Sequence, residues 1–406
     1  MGSKSAKTLS CVSRVSRSLS ETDVLQNLVQ LNQWFQQHAG RGERLRFLGR
    51  YLAWRDELME LPHARRMRMS KRQMLGKLDG MARRHAARLW AKRDRVAMRN
   101  GRYFSRIRIP GGWRGHVLLE PRRPTAWLYV RQASFTRSQW RQWLDEPLEW
   151  VDASRQQVIK ASHSGTVCRC ELPLDDGPLA VVCKRSLPRT WLKRFYYLFT
   201  RSRNLQTWRR GYALLNRDLP TARPLAVLER RVAGLLLDSI VITQAIEDGH
   251  DLDTMLRLYL APQAQRVQRR VKNRMVGRLA VLVRQMHQSR FTHRDLKASN
   301  VLVQWNARRP EHVGLALVDM DGLRLRRRAG KRSELRALAR LNVSLDLCTT
   351  VTLSDRVRFL KAYVRRPGGR KSDWKVLWRR LEGISGRKRR QKASRTHWKI
   401  EHYGRP

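Results

Sequence analysis

The stretch THRDLKASNVLV, residues 292–303, decides the fold. Phosphoryl transfer needs a carboxylate that orients the attacking hydroxyl, and an amide oxygen that holds a magnesium ion near the phosphates. The pattern His-Arg-Asp, followed by Asn after four further residues, supplies both groups from one loop. Asp295 is predicted to be the base-like residue and Asn300 the metal ligand. The residues predicted to take part in catalysis are His293, Arg294, Asp295 and Lys297, the last of which could meet the transferring phosphoryl group.

A second acidic motif follows in LALVDMDGL, residues 315–323. Its apolar run predicts a short buried strand, and Asp319 stands at the end of that strand, where a magnesium-bridging aspartate is needed. Asp321 occupies the place where many kinases have Gly. The strand register favours Asp319 as the main metal ligand, with Asp321 as the second candidate. An Asp-Gly turn without function is the alternative.

A strand-like segment upstream, LAVVCK (residues 179–184), ends in Lys184. A lysine on an interior strand of a small lobe can pair with the α- and β-phosphates of ATP, although a lysine that only extends its head to solvent has the same pattern. The preceding segment SHSGTVCRC, residues 162–170, stands where a phosphate-covering loop belongs. It has a single glycine, so the backbone N–H groups predicted to bind phosphate are those of Ser164, Gly165 and Thr166.

The composition is strongly basic, with 86 Lys and Arg against 33 Asp and Glu, a formal net charge of +53. Such a charge attracts polyanions, whether anionic lipid, phosphorylated glycan or nucleic acid. The usual nucleic-acid-binding motifs are not found, so nucleic acid is a less favoured partner. Five cysteines in a long chain argue against a disulfide scaffold, and the alternation Cys168-Arg-Cys170 indicates a strand rather than a zinc site. A reducing, cytoplasmic setting is expected.

The chain is expected to divide into four parts. Residues 1–20 have the composition of a disordered basic tail, and residues 21–105 that of a helical extension. Residues 106–246 would form a small β-rich lobe with preceding strands, and residues 247–406 a helical lobe with a basic tail. No apolar run is long enough to span a bilayer, and no signal peptide is recognised, so any membrane contact would be peripheral.

Two distant helical segments resemble each other. Leu31-Asn32 corresponds to Leu341-Asn342, and five further residues recur at an offset of 312. This similarity indicates that residues 21–105 are the relic tail of a duplicated domain, or else that two Arg- and Leu-rich helices are similar by chance. The duplication hypothesis predicts similar helix–turn–helix arrangements around Phe47 and Phe359, and a destabilised protein when the extension is removed.

Several segments together resemble the lipopolysaccharide kinase family, whose members phosphorylate Kdo or heptose sugars of the inner core. They are WRRGYALLNRDLPTARPLAVLERR (residues 208–231), SIVITQAI (239–246), HRDLKASNVLV and LVDMDGLR, and the resemblance covers roughly residues 149–366. It implies a protein-kinase-like α+β fold with two lobes, ATP and Mg²⁺ as cofactors, and a location on the cytoplasmic face of the membrane. It also implies that Lys184, Asp295, Asn300 and Asp319 are the working residues. Gln244 and Ile246 are further residues predicted to bind the nucleotide.

Two departures from the family pattern stand out. The helix after Lys184 lacks a carboxylate to pair with that lysine, because Asp218 is the only acidic residue between Lys184 and Pro220. Glu229, from a neighbouring strand, is a candidate substitute. There is also no Ala-Pro-Glu after Asp319, which argues against a peptide platform. The sequence therefore predicts an ATP-dependent kinase of a glycolipid or other anionic sugar acceptor. A protein Ser/Thr kinase and a degenerate, nucleotide-binding scaffold are the alternatives.

Overall fold

The computed structural model describes residues 20–58, 70–121, 128–162, 165–188, 190–326, 330–365 and 373–403. The predicted basic tail before Ser20, together with Cys11 and Ser164, lies outside these ranges. The chain divides into two units, Met1–Leu89 and Trp90–Pro406.

The first unit is helical, as the apolar periodicity predicts. A capping box between Ser20 and Asp23 satisfies the first free backbone N–H groups of its first helix. The small core contains buried Leu28, Leu48 and Leu75. The helices are α1 (Glu21–His38), α2 (Arg41–Leu58) and α3 (Lys71–Val96).

The second unit begins with a seven-stranded antiparallel sheet in the order β1-β2-β6-β7-β5-β4-β3. Its strands are β1 (Phe104–Ile109), β2 (Trp113–Leu118), β3 (Gln157–Ser162), β4 (Gly165–Leu172), β5 (Leu179–Ser186), β6 (Pro224–Val232) and β7 (Leu235–Gln244). The helices of this lobe are α4 (Arg137–Trp143), α5 (Trp191–Phe199) and α6 (Arg203–Leu215). The helix α5 is not among the elements predicted from the sequence.

The alternation predicted around the cysteines is confirmed. Cys168 and Cys170 are buried on β4, and Arg169 between them is exposed. Cys183 on β5 lies opposite Cys168, so the apolar thiols face the core of the lobe. Within the described residues these cysteines are free, and no group of three or more His, Cys, Asp or Glu side chains is arranged to hold a metal ion by itself.

The helical lobe is built around one long helix, whose apolar face contributes Val271, Met275, Leu279 and Val283 to the core. Short strand pairs next to it carry the loops with the conspicuous acidic residues. The elements are β8 (Gly249–Asp251), α7 (Leu252–Thr254, continued by a π-helical segment Met255–Leu260), α8 (Gln265–Gln288), β9 (Phe291–His293), β10 (Val301–Gln304), β11 (Gly314–Leu317), β12 (Leu323–Leu325), α9 (Lys331–Ser344), α10 (Leu353–Val364) and α11 (Asp373–Tyr403).

The expected fold class is confirmed: an antiparallel, β-rich lobe precedes a helical lobe, with helices N-terminal to both. None of the helices in the described ranges combines the length and the apolarity that a bilayer crossing requires.

Candidate active site

The catalytic loop runs between β9 and β10, and Asp295 is fixed there by two neighbours. Lys297 Nζ lies 3.0 Å from Asp295 Oδ2. Asn300 Nδ2 donates to the Asp295 carbonyl at 2.7 Å and to Oδ2 at 3.3 Å. Partial burial would raise the pKa of Asp295, but the hydrogen bonds from Lys297 and Asn300 and the charge of Lys297 hold it below its usual value. Asp295 is therefore ionised at neutral pH and can accept a hydrogen bond from a hydroxyl.

His293 joins the catalytic loop to the second acidic motif. The ring is 1% exposed, its Nε2 donates to the Asp319 carbonyl at 3.1 Å, and its Nδ1 accepts from the Asp295 N–H at 3.2 Å. Burial lowers the pKa of His293, so the ring is neutral with its proton on Nε2. A substituent at Gly322 would meet the His293 ring at 2.7 Å, so this approach requires glycine. His293 thus positions the two acidic segments.

Asp319 has a left-handed backbone conformation, φ 57° and ψ 66°, two residues after the end of the buried strand β11. Such a conformation is costly for a non-glycine residue and often marks a functional position. The neighbouring Val318 N–H donates to the Asn300 carbonyl at 3.0 Å, which ties the ends of the two motifs together. The strand predicted at LALV is confirmed, and it presents the Asp319 side chain, 39% exposed, beside the loop.

Lys184 contacts both aspartates of the second acidic motif. Its Nζ lies 3.2 Å from Asp319 Oδ1 and 3.5 Å from Asp321 Oδ2. Residues 135 positions apart in the chain are thus brought into contact by β5 and the segment after β11. The structure does not decide which of the two aspartates is the main metal ligand, because both contact the ammonium group of Lys184.

The candidate substitute for the missing helix carboxylate is wrong. Glu229 is held by Arg231, with Oε2 3.1 Å from Nε, and does not pair with Lys184. The second helix after Lys184, α6, contacts the acidic motif through an arginine and a threonine. On α6, Arg210 Nη1 donates to the Met320 and Asp321 carbonyls at 3.0 and 3.2 Å, and Thr207 lies 3.4 Å from Asp321 Oδ1. Nothing in the sequence alone pointed to these two residues.

Of the residues predicted to bind the nucleotide, two lie where phosphates could be bound, and two have side chains that make other contacts. Gly165 and Thr166 begin β4, on the hairpin next to the lysine strand, where a loop over phosphates belongs. A Cβ at Gly165 would lie 2.2 Å from the Arg185 carbonyl, so only glycine fits there. Gln244 Nε2 donates to the Arg131 carbonyl at 2.7 Å, and Ile246 packs in a small apolar cluster. The side chains of the last two are therefore engaged elsewhere, and a nucleotide could meet only their main chain.

Cations surround the aspartates. The N–H of Arg294 donates to the Gly322 carbonyl at 2.7 Å, and its side chain is exposed. Burial lowers the pKa of Arg210, Asp321 opposes that shift, and the positive charges of Arg324 and Arg294 add to it. Together with Lys297, these groups form a positive rim, which favours an anionic acceptor.

The donor set fits magnesium. Two carboxylates, Asp319 and Asp321, and the amide oxygen of Asn300 are hard oxygen ligands of the type that Mg²⁺ prefers. Asn300 uses its Nδ2 on Asp295, which leaves Oδ1 to face a cation. The ammonium of Lys184 already lies between the two carboxylates, so the site accommodates positive charge. One or two carboxylates are enough, since Mg²⁺ in such enzymes takes its other ligands from phosphates and water.

Part of the chain matches a known protein family. The model of the lipopolysaccharide kinase (Kdo/WaaP) family matches residues 186–363, a segment that contains Asp295, Asn300 and both aspartates of the second motif. A solved structure, "WaaP in complex with acyl carrier protein", is similar with 20% identity and a TM-score of 0.42, over 61% of this chain and 91% of that chain. No curated protein matches the chain. The resemblance recognised in the sequence is thereby confirmed for residues 186–363, which match the lipopolysaccharide kinase (Kdo/WaaP) family model, and this match supports a kinase phosphotransferase.

Proposed function

We propose that the protein transfers the γ-phosphoryl group of ATP to a sugar hydroxyl of an anionic glycolipid. The observation that carries the proposal is the joint placement of Lys184, Asp295 and Asp319. The ionised carboxylate of Asp295 lies on the loop next to the two aspartates that could bind a metal ion. Lys184 contacts these two aspartates from the β-rich lobe. This is the set of groups that positions a phosphoryl donor and an attacking hydroxyl.

In this mechanism Asp295 accepts a hydrogen bond from the acceptor hydroxyl and orients it for in-line attack. Lys297, 3.0 Å from the same carboxylate, is placed to meet the negative oxygens of the group in transfer. Asp319, Asp321 and Asn300 would hold magnesium, which neutralises phosphate charge when it is bound. Since there is little covalent chemistry to perform, positioning and electrostatic stabilisation supply most of the rate.

The short segment after the second motif supports a sugar rather than a peptide acceptor. Only residues 322–330 separate Asp321 from the start of α9, and Leu323–Leu325 of these already pair with β9. A protein kinase needs a longer segment there to build a peptide platform. The positive rim around Asp321 supports an acceptor that carries phosphate or carboxylate groups of its own.

A turnover assay tests the proposal. The purified protein is incubated with labelled ATP, Mg²⁺ and extracted lipopolysaccharide core, in parallel with basic and acidic peptide panels. Transfer to the core with none to the peptides is expected. Transfer to peptides alone would support a protein kinase, and ATP binding without any transfer would support the degenerate-scaffold alternative.

A further inference from the structure

The helix α5 carries a row of large apolar side chains on its outside. Trp191 is 72% exposed and Phe199 is 82% exposed, the highest value among the exposed large hydrophobic residues of the described chain. The helix is only nine residues long, WLKRFYYLF, and six of its side chains form this surface. They are Trp191, Leu192, Phe195, Tyr196, Leu198 and Phe199.

The orientation of this stripe is the reverse of what a soluble domain needs. Residues 191, 195 and 199 follow each other at intervals of four, so they share one face of the helix. That face normally packs on the core. Here the opposite side of α5 lies towards the sheet, where the Tyr197 carbonyl accepts from Arg231 Nη1 at 2.9 Å. At the end of β6, next to Arg231, Val232 is a further exposed apolar side chain, 59% exposed. An apolar patch of this kind marks a binding surface.

The charge around the helix indicates the chemistry of the partner. From Arg185 to Arg217 the chain has nine Lys and Arg and no Asp or Glu. The side chains of Arg194, Arg201 and Arg203 are exposed. Tryptophan and tyrosine prefer the boundary between lipid headgroups and acyl chains, and arginines beside them attract anionic headgroups. An amphipathic helix with aromatic residues on one side and basic residues around it fits a lipid surface.

We propose that α5 docks the kinase on an anionic lipid bilayer, with the side chains of Trp191, Phe195 and Phe199 inserted between headgroups. The inference deepens the proposed function, on which its physiological meaning rests, because a glycolipid acceptor is presented at such a surface. Trp191 follows Lys184 by only seven residues, and α6, the next helix, contacts Asp321. Docking through α5 would therefore hold both sides of the active site at the membrane.

The test is sedimentation with vesicles of phosphatidylethanolamine and phosphatidylglycerol, and with vesicles of phosphatidylcholine alone. The full chain is compared with the triple variant Trp191→Ser/Phe195→Ser/Phe199→Ser. A matched control carries Trp54→Ser/Leu347→Ser/Leu353→Ser, three large side chains that are 64–71% exposed elsewhere. The α5 variant should bind anionic vesicles at least about tenfold more weakly, because it lacks the three aromatic side chains that become buried in the bilayer. The control should bind as the parent does.

Two further measurements identify the mode of binding. Brominated lipids should quench part of the tryptophan fluorescence, and Trp191→Phe should remove most of that quenching. Arg194→Gln/Arg201→Gln/Arg203→Gln should weaken binding to the anionic vesicles only, and salt should weaken the parent in the same way, because the Debye length is about 8 Å at physiological ionic strength. Phe199→Ser alone, the most exposed position, provides a variant with little effect on folding.

The outcomes separate this inference from the proposed function. Transfer to a delipidated core oligosaccharide should be unchanged in the α5 variant. Full vesicle binding by the α5 variant would overturn the docking inference, whatever the turnover. A concentration-dependent dimer in lipid-free light scattering, abolished by the same substitutions, would also overturn it in favour of a second copy. Absence of sugar phosphorylation in the parent would instead overturn the proposed function, while the vesicle result would still stand.

Discussion

The two ends of the chain each fold into three helices that are fastened in the same way. In α1–α3, Arg44 Nη1 donates to Asn32 Oδ1 at 3.1 Å and also reaches Asp79 on the third helix. In α9–α11, Arg356 Nη1 donates to Asn342 Oδ1, and Asn342 Nδ2 donates to Glu382 on the third helix at 3.3 Å. In both cases an arginine of the second helix and an asparagine of the first form a polar bracket that ends on a carboxylate of the third.

The apolar side chains correspond as well. Leu48 and Leu360 are both buried, at 2% and 1% exposure. The rings of Phe47 and Tyr51 stack with centroids 6.2 Å apart, and so do those of Phe359 and Tyr363, again at 6.2 Å. These pairs are among those that the sequence similarity matches. We propose that residues 21–105 derive from a duplicated copy of the C-terminal helices.

The difference lies in what covers the aromatic pair. Tyr363 is buried against α8, where its hydroxyl lies 2.8 Å from His287 Nδ1. The first unit has no counterpart of α8 in its sequence, and Phe47 is 38% exposed, with Trp54 beside it at 66%. The comparison teaches that the two three-helix regions share the polar bracket and a buried leucine, whereas the proposed catalytic residues lie in the chain between α3 and α9.

The largest expected effect comes from the catalytic loop of the kinase region. Asp295→Ala should lower phosphoryl transfer by on the order of 10²–10⁴-fold, the usual contribution of a positioned proton acceptor. ATP binding should stay nearly intact, because Asp295 acts on the acceptor. Single-turnover kinetics and a nucleotide titration measure the two quantities. Asp253→Ala, at a half-exposed aspartate paired with Arg257, is the matched control. Near-normal turnover in Asp295→Ala would refute the catalytic-loop assignment.

The second effect compares the two brackets. Arg44→Met should destabilise α1–α3 by about 3 kcal/mol, because it leaves Asp79 part-buried without its cation. Arg356→Met should cost less, about 1–2 kcal/mol, since Asp346 keeps its ion pair with Arg389 at 2.8 Å. Hydrogen exchange of the amides in each three-helix region reports the two effects separately. Equal losses in both regions would show that the brackets do not differ as described.

The polar bracket of the first unit also predicts that its stability depends on pH, through Asp79. Burial would raise the pKa of Asp79, but hydrogen bonds from Asn32, Gln36 and Arg44 hold it below the ordinary value of 3.8. A carboxyl group with a lowered folded-state pKa stabilises the fold at higher pH, and this stability is lost as the pH falls through the lowered value. The backbone amides of the first unit should therefore lose protection from hydrogen exchange only below about pH 3.8. Asp79→Asn should remove that acid transition.

The third effect ranks the two acidic residues of the kinase region, which the first unit also lacks. Asp319→Ala should weaken magnesium-dependent ATP binding by roughly 100-fold and Asp321→Ala by roughly tenfold, the range seen when metal surroundings are perturbed. The reason is that Asp319 lies closer than Asp321 to the end of the buried strand β11 and has the left-handed backbone conformation. Calorimetric titration of each variant with ATP, with and without Mg²⁺, measures the ranking. The reverse order would move the main metal ligand to Asp321.

Sequence reasoning located what local spacing determines. One motif places Asp295, Lys297 and Asn300, and an apolar run followed by an acid places Asp319, so these residues could be found without the structure. It failed where the contact depends on how separate elements cross. Glu229 is an acidic residue on a strand near Lys184 and, from the sequence, a candidate partner for that lysine. In the structure its carboxylate pairs with Arg231 instead.

The same limit explains the residues that were missed. Arg210 and Thr207 resemble ordinary polar residues of an amphipathic helix, and only the packing of α6 on the acidic motif reveals them. The apolar stripe of α5 would be assigned to a core by its periodicity, and only its direction shows otherwise.

The smallest effect tests whether cover by α8 is the real difference between the two three-helix regions. Phe359 packs against the core of the kinase region, so Phe359→Ala should lower the free energy of unfolding by about 2 kcal/mol, below the range for fully buried phenylalanines. Phe47 occupies the matching position but is 38% exposed, so Phe47→Ala should cost about 1 kcal/mol or less. Each loss is read from the exchange rates of the helices around the substituted ring, with Leu48→Ala and Leu360→Ala as controls at positions that are equally buried. Similar losses at the leucines together with unequal losses at the phenylalanines are expected, because the leucine core is common to both regions and the cover is not. If Phe47→Ala costs as much as Phe359→Ala, then the Phe47–Tyr51 pair is covered in solution, and the first unit has a partner that takes the place of α8.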